Sequence, residues 1–264
     1  NLPYYMDALI KCPRQRKDIQ MFRFILVVIT LFLYLILGIP VLGIEWIISK
    51  FNQEAADYQC LRMVQAAFRF MLKIAGTEIT VIGEERIPDE PVLFIGNHRS
   101  YFDILLTYSR CKRRTGYIAK KEMLSYPLLR TWMKRLYCLF LDRDNPKEGL
   151  KTILKAIEYV KSGISICIFP EGTRNIGEEL SVLPFHSGSF KIAEKSGCPI
   201  VPISMNNTIS SFEKQFPRIK KAHVIIEYGE PIYAKDLDRE QKKQLSQNCQ
   251  KIIEDTIKKN QALL

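Results

Sequence analysis

Residues 91–110 read PVLFIGNHRSYFDILLTYSR. The apolar run up to Gly96 has the length of a strand, and its lack of polar alternation suits a strand buried on both faces. A polar turn follows, and the next stretch, 102–110, is expected as a helix. Outward from here the same alternation repeats. Short apolar runs read as further strands: EITVIG, GYIA, CLFLD, SICIFP, PIVPISM and HVIIEYG. Helical stretches are expected at 127–136, 146–161 and 188–195, and a polar helix rich in Lys, Gln and Glu at 236–259. Strands alternating with helices predict an α/β fold with a largely parallel sheet flanked by helices, over a domain of residues 57–264.

Composition narrows the class of protein. Of 264 residues, 47% are hydrophobic and 25% charged, which excludes a disordered chain. The net charge of +11 calls for a polyanionic partner: nucleic acid, an anionic membrane surface or a phosphorylated substrate. The seven cysteines are scattered and form no CxxC pair, which argues against a zinc ribbon. Cys138 and Cys167 sit inside apolar runs, and reduced thiols in a cytosol-facing protein are the expectation.

Residues 24–44, FILVVITLFLYLILGIPVLGI, carry no charge. As a helix this run reaches roughly 30 Å, one hydrocarbon thickness. A single span conflicts with the flanks. Lys11, Arg14, Arg16, Lys17 and Arg23 precede the run, so a span would put the large domain outside the cytoplasm. Gly38, Pro40 and Gly43 also interrupt its second half. The expectation is therefore a membrane-embedded helical hairpin within residues 1–56, with arms at 22–37 and 41–51 dipping into one leaflet. The chain starts at Asn1, so a processed or recombinant fragment is expected, with residues 1–20 a tag or joint before Met21. Residues 57–74 form an amphipathic helix, either interfacial or part of the core, with Gly76 as its stop.

Three strands run into polar clusters. The first is His98-Arg99-Ser100-Tyr101-Phe102-Asp103. A turn here lets Asp103 fix the tautomer of His98, leaving the other ring nitrogen as a general base. The second ends in Asp142-Arg143, where Arg143 either grips a phosphate or pairs with Asp142 or Asp144. The third is Phe169-Pro170-Glu171-Gly172-Thr173-Arg174-Asn175, either a surface turn with a Glu171–Arg174 ion pair or part of a site. A basic stretch, Arg110 to Arg114 with Lys120 and Lys121, reads as a solvated face or as a lure for lipid and donor phosphates. Lys120 ends a strand and so points to the site region, whereas His186 and His223 show no partner pattern.

NHRSYFD at 97–103, AKKEM at 119–123 followed by YPLLR, FLDR at 140–143, FPEGTRN at 169–175 and PIVPIS at 199–204 resemble, in this order, the glycerol-phosphate and lysophospholipid acyltransferase family. Within it the chain most resembles bacterial-type 1-acyl-sn-glycerol-3-phosphate acyltransferases, and the resemblance covers about residues 60–230 plus the N-terminal hydrophobic segment. It implies that His98 activates the acceptor hydroxyl and Asp103 orients it. It also implies that Lys120, Arg143, Glu171, Gly172, Thr173 and Arg174 bind the acceptor through its phosphate and glycerol groups. Met123 replaces the family's usual Leu, and the segment His186-Ser187-Gly188 lacks the usual lysine.

The implied reaction moves a fatty acyl group from acyl-CoA or acyl carrier protein to the sn-2 hydroxyl of lysophosphatidic acid, giving phosphatidic acid. The alternative acceptors are glycerol-3-phosphate or another lysophospholipid. No metal and no resident cofactor are expected, because a thioester is already activated. The absence of a GxSxG elbow favours direct transfer over an acyl-enzyme and counts against a lipase or thioesterase. Backbone N–H groups near Phe102 are the expected oxyanion donors. Expected partners are membrane lipids and the two substrates, with no nucleic acid, on the cytosolic face of the cytoplasmic membrane. A basic adaptor that binds without catalysis is the non-enzyme rival, and polar clusters at strand ends argue against it.

Overall fold

The central strands are apolar on both faces because both faces are covered. The computed structural model describes residues 13–178 and 180–264. Within them lies a seven-stranded sheet built from β1 (Thr77–Ile82), β2 (Leu93–Gly96), β3 (Thr115–Lys120), β4 (Leu139–Leu141), β5 (Ser165–Ile168), β6 (Ile200–Asn206) and β7 (Ala222–Tyr228). Their spatial order is β1-β7-β6-β2-β5-β3-β4. Every pairing is parallel except β6 with β7. All the strands expected from sequence form, and the sheet is largely parallel as expected.

The helices are α1 (Pro13–Phe51), α2 (Gln53–Ala75), α3 (Phe102–Tyr108), α4 (Pro127–Arg135), α5 (Pro146–Lys161), α6 (Lys191–Ser196), α7 (Arg239–Lys243) and α8 (Leu245–Asn260). Strand pleating sorts the core into two layers. Leu93, Ile95, Ile166 and Ile168 pack against Ile157 of α5, Ile192 of α6 and Ile253 of α8. Phe94, Cys167 and Val201 face the other way, onto Leu61 and Val64 of α2, Tyr108 of α3 and Trp132 of α4. The expected 188–195 helix divides into a short 3-10 turn, Ser187–Phe190, and α6. The cysteines among the described residues are all free thiols.

The expected N-terminal hairpin does not form within residues 22–51; the helices that pair are α1 and α2 instead. Residues 22–37 and 41–51 do not form separate arms; α1 runs unbroken through Gly38, Pro40 and Gly43. The chain reverses at Asn52, whose side chain caps α2 by accepting the Ala55 amide. Packing overrides the helix breaker. Pro40 is exposed and costs the helix a backbone bond, but both sides of it are anchored. Gly38 is buried against Trp132, Tyr34 packs on the same ring with centroids 4.9 Å apart and planes tilted by 36°, and Leu42 and Glu45 pack inward beyond the proline. Glu45, the first charged residue after the apolar run, is 0% exposed.

Of the two readings of residues 57–74, the amphipathic core helix is the observed one. Cys60, Leu61, Val64, Met71 and Leu72 of α2 are buried, and Gly76 stops the helix in a left-handed cap. Lys11, Cys12 and most of the expected N-terminal joint lie outside the described residues.

Candidate active site

β2, β5, β3 and β4 lie side by side and run parallel. Residues just past their carboxyl ends therefore share one edge of the sheet, where open α/β folds place their chemistry. His98, Glu171 and Arg143 follow β2, β5 and β4 directly, and Lys120 is the last residue of β3.

Asn97 fixes where the chain leaves β2. Its Nδ2 donates to the Met205 carbonyl at 2.9 Å, and its Oδ1 accepts the Met205 amide at 2.8 Å. The His98 ring then lies flat on Phe169, with centroids 4.4 Å apart and planes 15° from parallel. Gly96 makes the room, since a Cβ there would come within 3.1 Å of the Phe169 ring.

His98 Nδ1 lies 2.8 Å from Asp103 Oδ2. The same oxygen accepts the Arg99 and Ser100 amides, each at 2.7 Å. An oxygen already serving as acceptor twice requires Nδ1 to be the donor, which assigns the tautomer. Nε2 is left with its lone pair free. The His98 side chain is 18% exposed while that of Asp103 is 0%, so the imidazole is reachable from outside and the carboxylate is not.

Glu171 turns inward. Its Oε1 accepts the His98 amide at 2.6 Å and its Oε2 the Leu183 amide at 2.9 Å. Burial pushes its carboxyl up to about 7, against the pull of those two amides. The local ion pair with Arg174 does not form. Arg174 instead lies over the Tyr101 ring, 3.8 Å from its centroid, and donates to Tyr101 Oη and Glu213 Oε1, both at 3.2 Å.

Arg143 pairs with neither neighbouring acid. Lys121 takes both Asp142 and Asp144, at 2.8 and 3.4 Å, and Arg143 has no ion pair among the described residues. Partial burial pulls its guanidinium down from the ordinary range. Gly172 is in the left-handed region at φ 73°, and a Cβ there would stand 3.4 Å from both the Arg143 guanidinium carbon and the His186 ring. Arg143 and His186 thus both approach Gly172. Thr173 and Lys120 are exposed on the same edge, without side-chain partners among the described residues.

Two expectations are corrected. Arg110, Arg113 and Arg114 lie at the opposite edge, before β3, and are neutralised by Glu84, Asp89 and Asp57. They form neither a solvated basic face nor a phosphate lure beside His98. The amides around Phe102 are also spoken for. Tyr101 donates to Glu213, Phe102 to the Ser100 hydroxyl and Asp103 to the Ser100 carbonyl. Short loop turns absorb the donors that a longer helix would leave open. Glu213 was invisible to sequence reasoning, being a lone acid in a loop with no spacing that marks it. The stacking of Phe169 was equally hidden, although it lies within a quoted motif.

Comparison with known proteins follows this geometry. The family model described as Acyltransferase matches residues 78–206. The chain is 29% identical over 208 residues to the 1-acyl-sn-glycerol-3-phosphate acyltransferase of Saccharomyces cerevisiae, covering 78% of this chain and 68% of that protein. It is 35% identical to the Cocos nucifera enzyme of the same name, covering 65% of this chain and 55% of that one. With the Escherichia coli enzyme of that name it shares 30% identity, over 62% of this chain and 66% of that one. The crystal structure of the 1-acyl-sn-glycerophosphate acyltransferase from Thermotoga maritima superposes with a TM-score of 0.76 at 22% identity, covering 92% of this chain and 98% of that one. That last likeness is one of fold. Since the matched region spans the very turns that carry His98 and Glu171, the chain belongs to the acyltransferase family.

Proposed function

We propose that this acyltransferase moves a fatty acyl group from a thioester donor, acyl-CoA or acyl carrier protein, to the sn-2 hydroxyl of lysophosphatidic acid, releasing phosphatidic acid and the free thiol. The observation that carries the reading is the His98–Asp103 pair, with Nδ1 tied to a buried carboxylate and Nε2 open. Nε2 takes the proton as the acceptor oxygen attacks the thioester carbonyl. The carbon–sulfur bond then breaks, and the imidazolium returns the proton to the leaving thiolate. Asp103 stabilises the imidazolium between those steps.

Lys120, Arg143 and Arg174 supply positive charge on the same edge for the acceptor phosphate, with Gly172 leaving space for the Arg143 guanidinium. The Thr173 amide makes no hydrogen bond among the described residues and is a donor for phosphate or oxyanion. Glu171 acts through the backbone, bracing the His98 amide.

The proposed setting is one leaflet of the cytoplasmic membrane, with the catalytic domain on the cytosolic face. α1 is long and apolar enough to cross a bilayer, and only 6% of its most apolar window is buried. Yet it is fastened to the domain at Gln20, Phe24, Tyr34 and Gly38. Those residues span roughly 27 Å of helix. A helix tied along that length to a water-soluble sheet lies in the leaflet beside the domain more readily than it stands across the bilayer.

The test is transfer from labelled donor to lysophosphatidic acid in detergent micelles. His98→Ala and Asp103→Asn are expected to lower kcat by about 10²–10⁴-fold while remaining folded. Activity surviving in His98→Ala overturns the mechanism. A wild type silent on lysophosphatidic acid but active on glycerol-3-phosphate or another lysophospholipid overturns the acceptor and keeps the chemistry.

A further inference from the structure

The loop between β6 and β7 belongs to none of the motifs discussed so far, yet it reaches the site. Glu213 Oε1 accepts two hydrogen bonds, one from the Tyr101 amide at 2.9 Å and one from Arg174 Nη1 at 3.2 Å. Its side chain is only 12% exposed, and its other oxygen is buried without a hydrogen-bond partner. The Arg174 guanidinium is thereby pinned on three sides: Glu213 at one nitrogen, the Tyr101 hydroxyl at another and the Tyr101 ring against its face. Tyr101 in turn lies between the His98 loop and α3, so the contact ties Arg174 to the catalytic turn.

The other side of the loop touches α1. Phe212 stacks on Phe24, with ring centroids 5.8 Å apart and planes 14° from parallel, and Phe216 meets Phe24 edge-on at 6.3 Å. The Ile219 amide donates to the Gln20 carbonyl at 3.0 Å. The loop is therefore held at both ends, by the apolar helix and by the active-site turn.

We propose that Glu213 is a positioning residue for acceptor recognition, holding Arg174 in the orientation in which its remaining N–H groups meet the acceptor phosphate. The proposal rests on the reading of Arg174 as a phosphate ligand. An arginine backed by a carboxylate loses less freedom when it forms its next charge-assisted bond, so the carboxylate lowers the acceptor KM without entering the chemistry.

Glu213→Gln is the informative variant, because the amide oxygen still accepts the Tyr101 N–H while the charge facing Arg174 is gone. Steady-state kinetics with lysophosphatidic acid, using whichever of acyl-CoA or acyl carrier protein supports turnover, separate the outcomes. Glu213→Gln and Glu213→Ala are expected to raise the acceptor KM about tenfold, with kcat and donor KM changed less than about twofold. Arg174→Ala is expected to raise the acceptor KM at least as much, and adding Glu213→Gln to it is expected to do no further harm, since both act at one place.

An acceptor KM unchanged in Glu213→Gln but raised in Arg174→Ala overturns the role of Glu213 and leaves Arg174 standing. An acceptor KM that falls shows Glu213 competing with the phosphate and overturns the proposal. A joint fall in kcat and Tm with no change in acceptor KM makes Glu213 merely structural, which also overturns it. An acceptor KM unmoved by Arg174→Ala overturns the reading on which the proposal stands.

Discussion

Glu171 holds the backbone amide of His98 on one oxygen and that of Leu183 on the other. Burial pushes its carboxyl from the ordinary 4.5 up to about 7. A raised carboxyl means that folding takes up a proton between those values. Its contribution to stability is full below pH 4.5 and is lost as the pH rises through 7. Glu171→Gln holds the group neutral at every pH. Relative to the wild type, the variant is expected to gain in Tm as the pH rises from about 5 to about 8, by roughly 2–4 °C for each kcal/mol of linkage. A difference in Tm that does not move with pH would show that Glu171 keeps one protonation state across this range. Asp103 is a different case. Its Oδ2 serves three donors while Oδ1 is buried with none. Asp103→Asn forces an NH₂ group into this pocket, and the Arg99 and Ser100 amides compete for what acceptor remains. Its effect on kcat therefore reports on the turn as well as on the tautomer.

At the scale of elements, the joint between α1, α2 and α4 decides how the apolar hairpin sits. Asp57 of α2, 3% exposed, gathers Arg135 from the end of α4, the Tyr137 hydroxyl, Gln53 and Arg114. Removing it strands two partly buried guanidinium groups. Asp57→Ala is expected to cost ~3–5 kcal/mol in denaturant unfolding, against no more than about 0.5 kcal/mol for Ile25→Ala on the exposed face of α1. Equal effects would mean that the cluster does not hold the joint. Gly38 makes a separate contribution. A Cβ there would lie 2.6 Å from the Trp132 ring, which is only 2% exposed and has little room to retreat. Gly38→Leu is expected to lift α1 off α4, destabilise by about 1–3 kcal/mol and open the Asn52 turn to protease. A Gly38→Leu protein as resistant as the wild type would rule out this close approach.

For the whole molecule, the decisive surface is the outward face of α1. Phe22, Ile25, Ile29, Phe32, Ile36 and Ile39 are all exposed at helical spacing, a larger apolar surface than soluble monomers tolerate. Trp46 is 62% exposed on the same helix, while Trp132 is buried, and these are the protein's two tryptophans. Adding anionic vesicles is expected to shift Trp46 emission to the blue and to make it quenchable by brominated acyl chains. Phe32→Glu combined with Ile36→Glu is expected to abolish co-flotation with the vesicles while leaving turnover in micelles intact. An unshifted emission would mean that the helix does not enter the leaflet.

Much of this was legible in the order of residues alone. The strands and the largely parallel sheet follow from apolar runs and helical spacing, which are local properties of the chain, and the pairing of His98 with Asp103 follows from five residues of turn. Three matters were settled only by tertiary structure. Pro40 stays inside a helix because contacts on both sides outweigh one missing backbone bond. The basic stretch before β3 is neutralised because Glu84, Asp89 and Asp57 reach it from other elements. Glu213 reaches Arg174 across 39 residues of chain. Local sequence sets periodicity and turn chemistry, whereas partners distant along the chain are chosen by packing. That is why the His98–Asp103 contact could be read in advance and the Glu213–Arg174 contact could not.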